Sequence, residues 1–120
     1  MKLVFASTGT NLEATLDPRF GRCSYFLCYD TDTKEVSSVN NSQNLNAAQG
    51  AGIQAATTVA DCGANYAFCG HCGPKAFRVL QAASIKVICG VEGKISDLIK
   101  EFEAGNLKEV DSADVEGHWM

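Results

Sequence analysis

The sequence predicts an α/β fold, a mixed five-stranded sheet with helices on both faces, in the order β-β-β-α-β-α-β-α. Three observations carry this prediction. Apolar and aromatic runs separated by turn residues fill the first third of the chain, the signature of strands joined by hairpin-type links. From Gly52 onward apolar residues recur at helical spacing. The later strand-like runs then alternate with those helices, which requires crossover connections and parallel neighbours.

The elements follow in order. Residues 2–7 read as a buried strand, followed by a polar loop through Asn11, and Asp17-Pro18-Arg19-Phe20-Gly21-Arg22 as a turn cluster broken by Pro18 and Gly21. Residues 24–30 form an aromatic-rich second strand, and Thr31-Asp32-Thr33-Lys34 turns the chain into a third around 35–39. Residues 40–49, with four asparagines, are loop-like and long enough to be functional. Ile53, Ala56, Val59 and Ala60 mark a helix ended by Gly63. Residues 65–68 read as a buried strand, and Pro74 opens a helix carrying Ala76, Phe77, Leu80 and Ala83 on one face. After a strand at 86–89, Ser96 caps a last helix that Gly105 ends. Ligands bind such sheets beyond the carboxyl ends of the parallel strands, so the loops at 7–11, 69–73 and 90–93 should gather at one edge.

Composition narrows the function. The chain has 120 residues, 46% of them apolar and 20% charged, as expected of one globular domain. A net charge of −4 argues against nucleic acid as a partner. The apolar run at the start is too short for a signal peptide and no later run could span a membrane, so a cytoplasmic protein without a membrane partner is expected. Six cysteines are many in that compartment and point to metal or redox chemistry rather than a disulfide framework. Cys28 and Cys89 lie within apolar strand runs and Cys62 at a helix end, where small buried thiols are common. Cys23, Cys69 and Cys72 stand beside loop glycines, where a thiol can reach a ligand.

The densest chemistry is Cys69-Gly70-His71-Cys72-Gly73-Pro74, between a strand and a helix. A helix amino end carries unpaired N–H groups and partial positive charge, which favours thiolate and receives anions. The Cys-x-x-Cys spacing suits a two-thiolate chelate for zinc, copper(I) or iron–sulfur species, or a redox dithiol. A closed zinc site would need further ligands, for which His71 and Cys23 are the candidates, since no second Cys-x-x-Cys exists. Cys-Gly-His-Cys also resembles the active site of disulfide-isomerase-type thioredoxins. Yet Phe68 stands where that family usually has tryptophan, and the two prolines, Pro18 and Pro74, leave none for its later cis-proline loop.

Other motifs are read beside it. Gly50-Ala51-Gly52-Ile53-Gln54-Ala55 meets the dinucleotide pattern but follows a polar loop and lacks the acidic residue about 20 positions on. Its glycines better suit close backbone approach to a ligand at a helix start. Phe20-Gly21-Arg22-Cys23 places a cation and a thiol in a turn, where Arg22 would neutralise an anionic ligand. The strand–helix order suits ribonuclease-H-like folds, but the carboxylates of two-metal nucleases are missing from residues 2–7 and 62–91.

Phe20-Gly21-Arg22, Gly50-Ala51-Gly52-Ile53 and the run from Cys69 to Phe77, followed by Ile85-Lys86-Val87 and Gly90, occur in an order that resembles the dinitrogenase iron–molybdenum cofactor-binding family. The resemblance covers roughly residues 1–107 and leaves 108–120 as an acidic, flexible tail. It implies a ribonuclease-H-like, three-layer fold and a role in binding or delivering metal–sulfur clusters, as in nitrogenase cofactor carriers and orange-protein-like members. By position, Phe20, Gly21, Arg22, Gly50, Gly52, Ile53, Gly70, Gly73 and Pro74 would line the binding face. Many relatives lack cysteines where Cys69 and Cys72 stand, so this chain either ligates its cargo directly or carries another one.

The expectation is a non-catalytic carrier for an anionic metal–sulfur cluster of iron–sulfur, molybdenum–iron or molybdenum–copper sulfide type. Cys69 and Cys72 would be thiolate ligands, assisted by His71 and Cys23. Cluster donors and recipients would be its partners, and the chain itself a monomer or weak homodimer. The alternatives are a thiol–disulfide oxidoreductase using Cys69 and Cys72, and a simple zinc protein.

Overall fold

β1 (Lys2–Ser7) runs through the centre of a five-stranded sheet, buried from its second residue onward. β2 (Tyr25–Asp30) pairs antiparallel to it, with Lys2 opposite Asp30 and Ser7 opposite Tyr25, and β3 (Val36–Asn40) pairs antiparallel to β2. The chain then passes through α1 (Ala51–Asp61), β4 (Tyr66–Phe68), α2 (Pro74–Ala82), β5 (Lys86–Ile88) and α3 (Ile95–Glu103). β4 lies parallel to β1 and β5 parallel to β4, giving the order β3-β2-β1-β4-β5. The computed structural model describes residues 1–41 and 51–110. The expected mixed sheet is present, and its order is compatible with a ribonuclease-H-like arrangement.

Strand alternation divides the core into two layers. Val4, Ala6, Phe26, Cys28, Ala67 and Val87 face α1 and α2, which contribute Ala55, Ala56, Val59, Ala76, Phe77 and Leu80. Leu3, Phe5, Leu27, Phe68 and Ile88 face the opposite side, where α3 buries Ile95, Leu98 and Ile99. Phe68 stacks on Phe5 at 4.3 Å between ring centroids and meets the edge of Phe102 at 5.5 Å. Helices therefore cover both faces.

Several local expectations change. Ile53 was expected on the apolar face of α1, but it is 41% exposed, because the buried stripe consists of Ala55, Ala56 and Val59. These small residues let α1 approach α2 closely: a Cβ on Gly52 would lie 3.4 Å from that of Ala76. Ser96 does not cap α3. Lys94 is the N-cap, without a side-chain bond, and the N–H groups of Ile95 and Ser96 donate to Ala14 and Leu12 carbonyls at 3.0 and 2.9 Å. A remote loop thus does what local sequence assigned to a serine. β3 extends through Asn40, so the loop starts later than expected. Beyond α3 the chain is still attached: Val110 N–H donates to the Val87 carbonyl at 2.7 Å, and Glu109 lies 3.7 Å from Lys86. The tail from 111, with His118 and Trp119, lies outside the described residues. Among the described residues no helix is long and apolar enough to cross a membrane.

Candidate functional site

The parallel strands β1, β4 and β5 end on one side of the sheet, and residues 8–24 are laid across that edge. Leu16 bridges to Ser7, and its N–H donates to the Gly93 carbonyl at 2.8 Å. Asp17 is buried; its N–H donates to Ala6, and its carboxylate accepts the Arg19 N–H at 2.9 Å and the Arg19 guanidinium at 3.3 Å. The Pro18 carbonyl accepts the His71 N–H at 2.9 Å, joining this loop to the one between β4 and α2. Gly70 makes the crossing possible: a Cβ there would sit 2.7 Å from Pro18 Cα. The loops at 7–11, 69–73 and 90–93 do meet at this edge through the intervening strap.

The strap carries Phe20 and Gly21 to the start of α2. There a hollow of about 310 Å³ is lined by Phe20, Gly21, Gly52, His71, Gly73, Pro74, Lys75 and Ala76. Gly73, the N-cap of α2, is extended and offers no side-chain bond, and Pro74 has no N–H. The amide groups of Lys75 and Ala76 thus belong to an uncapped amino end at the hollow. Gly52 brings the amino end of α1 to the same place. Two helix amino ends border this largely apolar hollow, with His71 and Lys75 among its lining residues, and helix amino ends favour anions. The rim is held from below, where the Cys23 thiol donates to the Phe20 carbonyl at 3.4 Å and Asn41 Nδ2 donates to the Cys23 carbonyl at 2.9 Å.

The structure brings Phe20, Gly21, Gly52, His71, Gly73 and Pro74 together around one hollow. Ile53 stands exposed one residue further along α1, and Arg22 is partly buried and outside the lining. Gly70 is buried beneath Pro18 rather than facing a ligand. Gly50 lies outside the described residues. Lys75 and Ala76 were not anticipated as lining residues; their signal is their position just after Pro74, where amides have no helical partner. Asn41 was missed as well, because nothing local marks a loop asparagine that reaches back to a turn.

The thiols depart most from expectation. Cys23, Cys69 and Cys72 have 0% exposure, and none lines the hollow. Cys69 follows the alternation of β4, falls on the face of Ala67, and so points into the layer beneath α1 and α2. Its sulfur lies 3.7 Å from that of Cys89. Hydrogen bonds with Cys72 and Cys89, followed by burial, push the Cys69 thiol well above its ordinary value. The expected priming by the amino end of α2 is outweighed. Burial, with the charge of Asp17 second, pushes Cys23 up to about 12. Among the described residues no three His, Cys, Asp or Glu side chains are grouped to hold a metal ion. The proposed ligand set of Cys69, Cys72, His71 and Cys23 is thus not assembled, since packing takes its sulfurs inward while His71 stays exposed. The sorting of thiols is partly inverted, because Cys62 and Cys89, expected to be buried, are the two with partial exposure.

Fold and hollow together define an α/β domain with a depression at the carboxyl edge of its parallel strands, bordered by the amino ends of two helices. The chain belongs to the dinitrogenase iron–molybdenum cofactor family, whose profile matches residues 1–105. Its fold is similar to that of the apo form of the orange protein from Desulfovibrio gigas, with a TM-score of 0.91 and 34% identity, covering 94% of this chain and 95% of that one. It is also similar to TM1290 from Thermotoga, of the DUF35 family, with a TM-score of 0.82, 30% identity and coverage of 97% and 98%. In sequence it is 30% identical over 96 residues to the uncharacterized protein MJ0580 of Methanocaldococcus jannaschii, spanning 78% of this chain and 81% of that protein.

Proposed function

We propose that this protein is a non-catalytic carrier that seats an anionic metal–sulfur cluster in the hollow between the Phe20–Gly21 turn and the amino ends of α1 and α2. The carrying observation is the convergence of two helix amino ends, His71 and Lys75 on one depression of about 310 Å³. Sulfide clusters of iron, molybdenum–iron or molybdenum–copper type are bulky anions whose sulfurs accept N–H groups and rest against apolar surface. Phe20, Pro74 and Ala76 supply that surface, and the amides of Lys75 and Ala76 supply donors. Family membership and the likeness to the orange protein support a cofactor-handling role.

The seat differs from a thiolate chelate. Cargo held by amides and cations can be taken up and released without breaking metal–protein bonds, as delivery between proteins requires. The oxidoreductase reading finds Cys69 and Cys72 without access to a partner disulfide, and the zinc reading finds no closed ligand group among the described residues.

Anaerobic titration with tetrathiomolybdate, a small anionic molybdenum sulfide, tests the seat by its visible absorbance. Lys75→Glu is expected to weaken binding about tenfold or more, since it reverses a charge at the hollow. Cys69→Ala combined with Cys72→Ala is expected to leave affinity within about twofold. Unchanged binding by Lys75→Glu, or loss of binding in the thiol-free variant while it remains folded, overturns this reading.

A further inference from the structure

A second hollow, of about 290 Å³, opens at the opposite end of the sheet, where β1 begins and α1 ends. It is lined by Lys2, Cys28, Cys62, Ser37, Asp30 and Glu35, among others. Cys28 belongs to the middle of β2 and is buried; Cys62 follows the last turn of α1 and is partly exposed. Thirty-four positions apart in sequence, the two thiols line the same hollow, Cys62 packing against the core cluster that contains Cys28. Lys2 Nζ lies 3.5 Å from the Cys62 carbonyl, so an ammonium group stands beside the pair. The cluster seat uses none of these residues.

We propose that Cys62 and Cys28 form a hydroperoxide-reactive dithiol, with Cys62 as the attacking sulfur and Cys28 as the resolving one. The chemistry has two steps. The Cys62 thiolate attacks a peroxide oxygen; an S–O bond forms, the O–O bond breaks, and the departing hydroxide takes up a proton as water. The sulfur is oxidised by two electrons and becomes a sulfenic acid, while the peroxide is reduced. The Cys28 sulfur then attacks that of Cys62; an S–S bond forms, the S–O bond breaks, and hydroxide leaves as a second water with the Cys28 proton. Two thiols and one hydrogen peroxide yield one disulfide and two waters.

The assignment of roles follows from exposure and environment. Cys62 reaches solvent and sits in the Cys62–Gly63 turn, where Gly63 adopts a φ of 76° and ends the helix. The hydrogen bond from Cys28 lowers the Cys62 thiol to about 7, with Lys2 helping and both burial and neighbouring Asp61 opposing. The same bond, together with burial, raises Cys28. Asp30, at the end of β2, and Glu35, just before β3, complete the charged surroundings. Reactive sensor thiols combine accessibility, thiolate character and an adjacent resolving thiol, and this pair has all three. Cys23 and Cys69 are sealed and raised instead.

The test treats reduced, full-length protein with one equivalent of hydrogen peroxide and follows intact mass and peptide maps. The wild-type chain is expected to lose the mass of two hydrogens and to give a Cys28–Cys62 linked peptide. Cys28→Ser should stop at a Cys62 sulfenic acid that a 1,3-dicarbonyl reagent traps. Cys62→Ser, at a partly exposed position, should consume the first equivalent about tenfold more slowly or worse. First oxidation at Cys69, Cys72 or Cys89, or a rate unchanged in Cys62→Ser, overturns the proposal. Because the readout needs no cluster, its failure is separate from failure of the carrier reading.

Discussion

At the scale of single residues, glycines and cysteines illustrate how burial decides a role. Gly70 and Gly52 both belong to recurring motifs of this chain, yet they meet different surroundings. Gly70→Ala places a methyl 2.7 Å from the Pro18 backbone, which cannot yield as a side-chain tip does. A loss of about 1–3 kcal/mol is expected, with displacement of the strap that carries Phe20. Gly52→Ala meets Ala76 at 3.4 Å, close to ordinary contact, and should cost much less. Urea denaturation of the two variants checks the contrast; equal losses would show that the crossing at Pro18 is not tight. The presence of these glycines beside the site was legible from the sequence, but their separate duties were not. Cysteines behave likewise, for a loop position suggested access to solvent while strand alternation carried Cys69 inward.

At the scale of elements, the β2–β3 hairpin shows local chemistry that sequence does reveal. Asp30 Oδ1 accepts the Asp32 and Thr33 N–H groups at 2.8 and 3.3 Å, closing the turn expected from Thr31-Asp32-Thr33-Lys34. These bonds favour the carboxylate and hold Asp30 below its ordinary value. A group lowered in the folded state stabilises above its unfolded value, about 4 for aspartate, and that contribution fades as pH falls through the folded value. Asp30→Asn is therefore expected to lower stability modestly at neutral pH and to flatten the acid limb, the two proteins converging as pH falls through the folded value. Urea midpoints between about pH 2 and 5 measure this; an unchanged slope would assign the acid sensitivity elsewhere. Helix α3 gives the opposite lesson. Its amino end rests on the carbonyls of Leu12 and Ala14, which accept the N–H groups of Ser96 and Ile95 from 84 and 81 positions earlier, so a local capping rule pointed to Ser96 instead.

At the scale of the molecule, the sheet is clamped between unlike layers. The side under α1 and α2 is lined largely by alanine, cysteine and valine, and it leaves room for the hollow between the helix starts. The side under α3 is filled by Phe5 and Phe102, each in ring contact with Phe68. Phe68→Ala should cost about 3–5 kcal/mol, because it removes the ring that joins β1, β4 and α3 and leaves a cavity. A cooperative urea transition at lower midpoint is the expected result, and a loss below about 1 kcal/mol would mean the layer collapses to fill the space. Cys69 and Cys72, and Cys28 and Cys62, all belong to the layer under α1 and α2, the first pair at the carboxyl edge of the parallel strands and the second at the opposite end.

The amino-acid sequence by itself determined the succession of strands and helices, the mixed sheet and the turn and glycine motifs that rim the hollow, because periodicity and backbone stereochemistry act over a few neighbouring residues. Only the tertiary structure decided which sulfurs meet solvent and which residues border the hollow. Depth is set by what packs above a residue, and here Pro18 crossing Gly70, and α1 and α2 covering Cys69, come from distant parts of the chain.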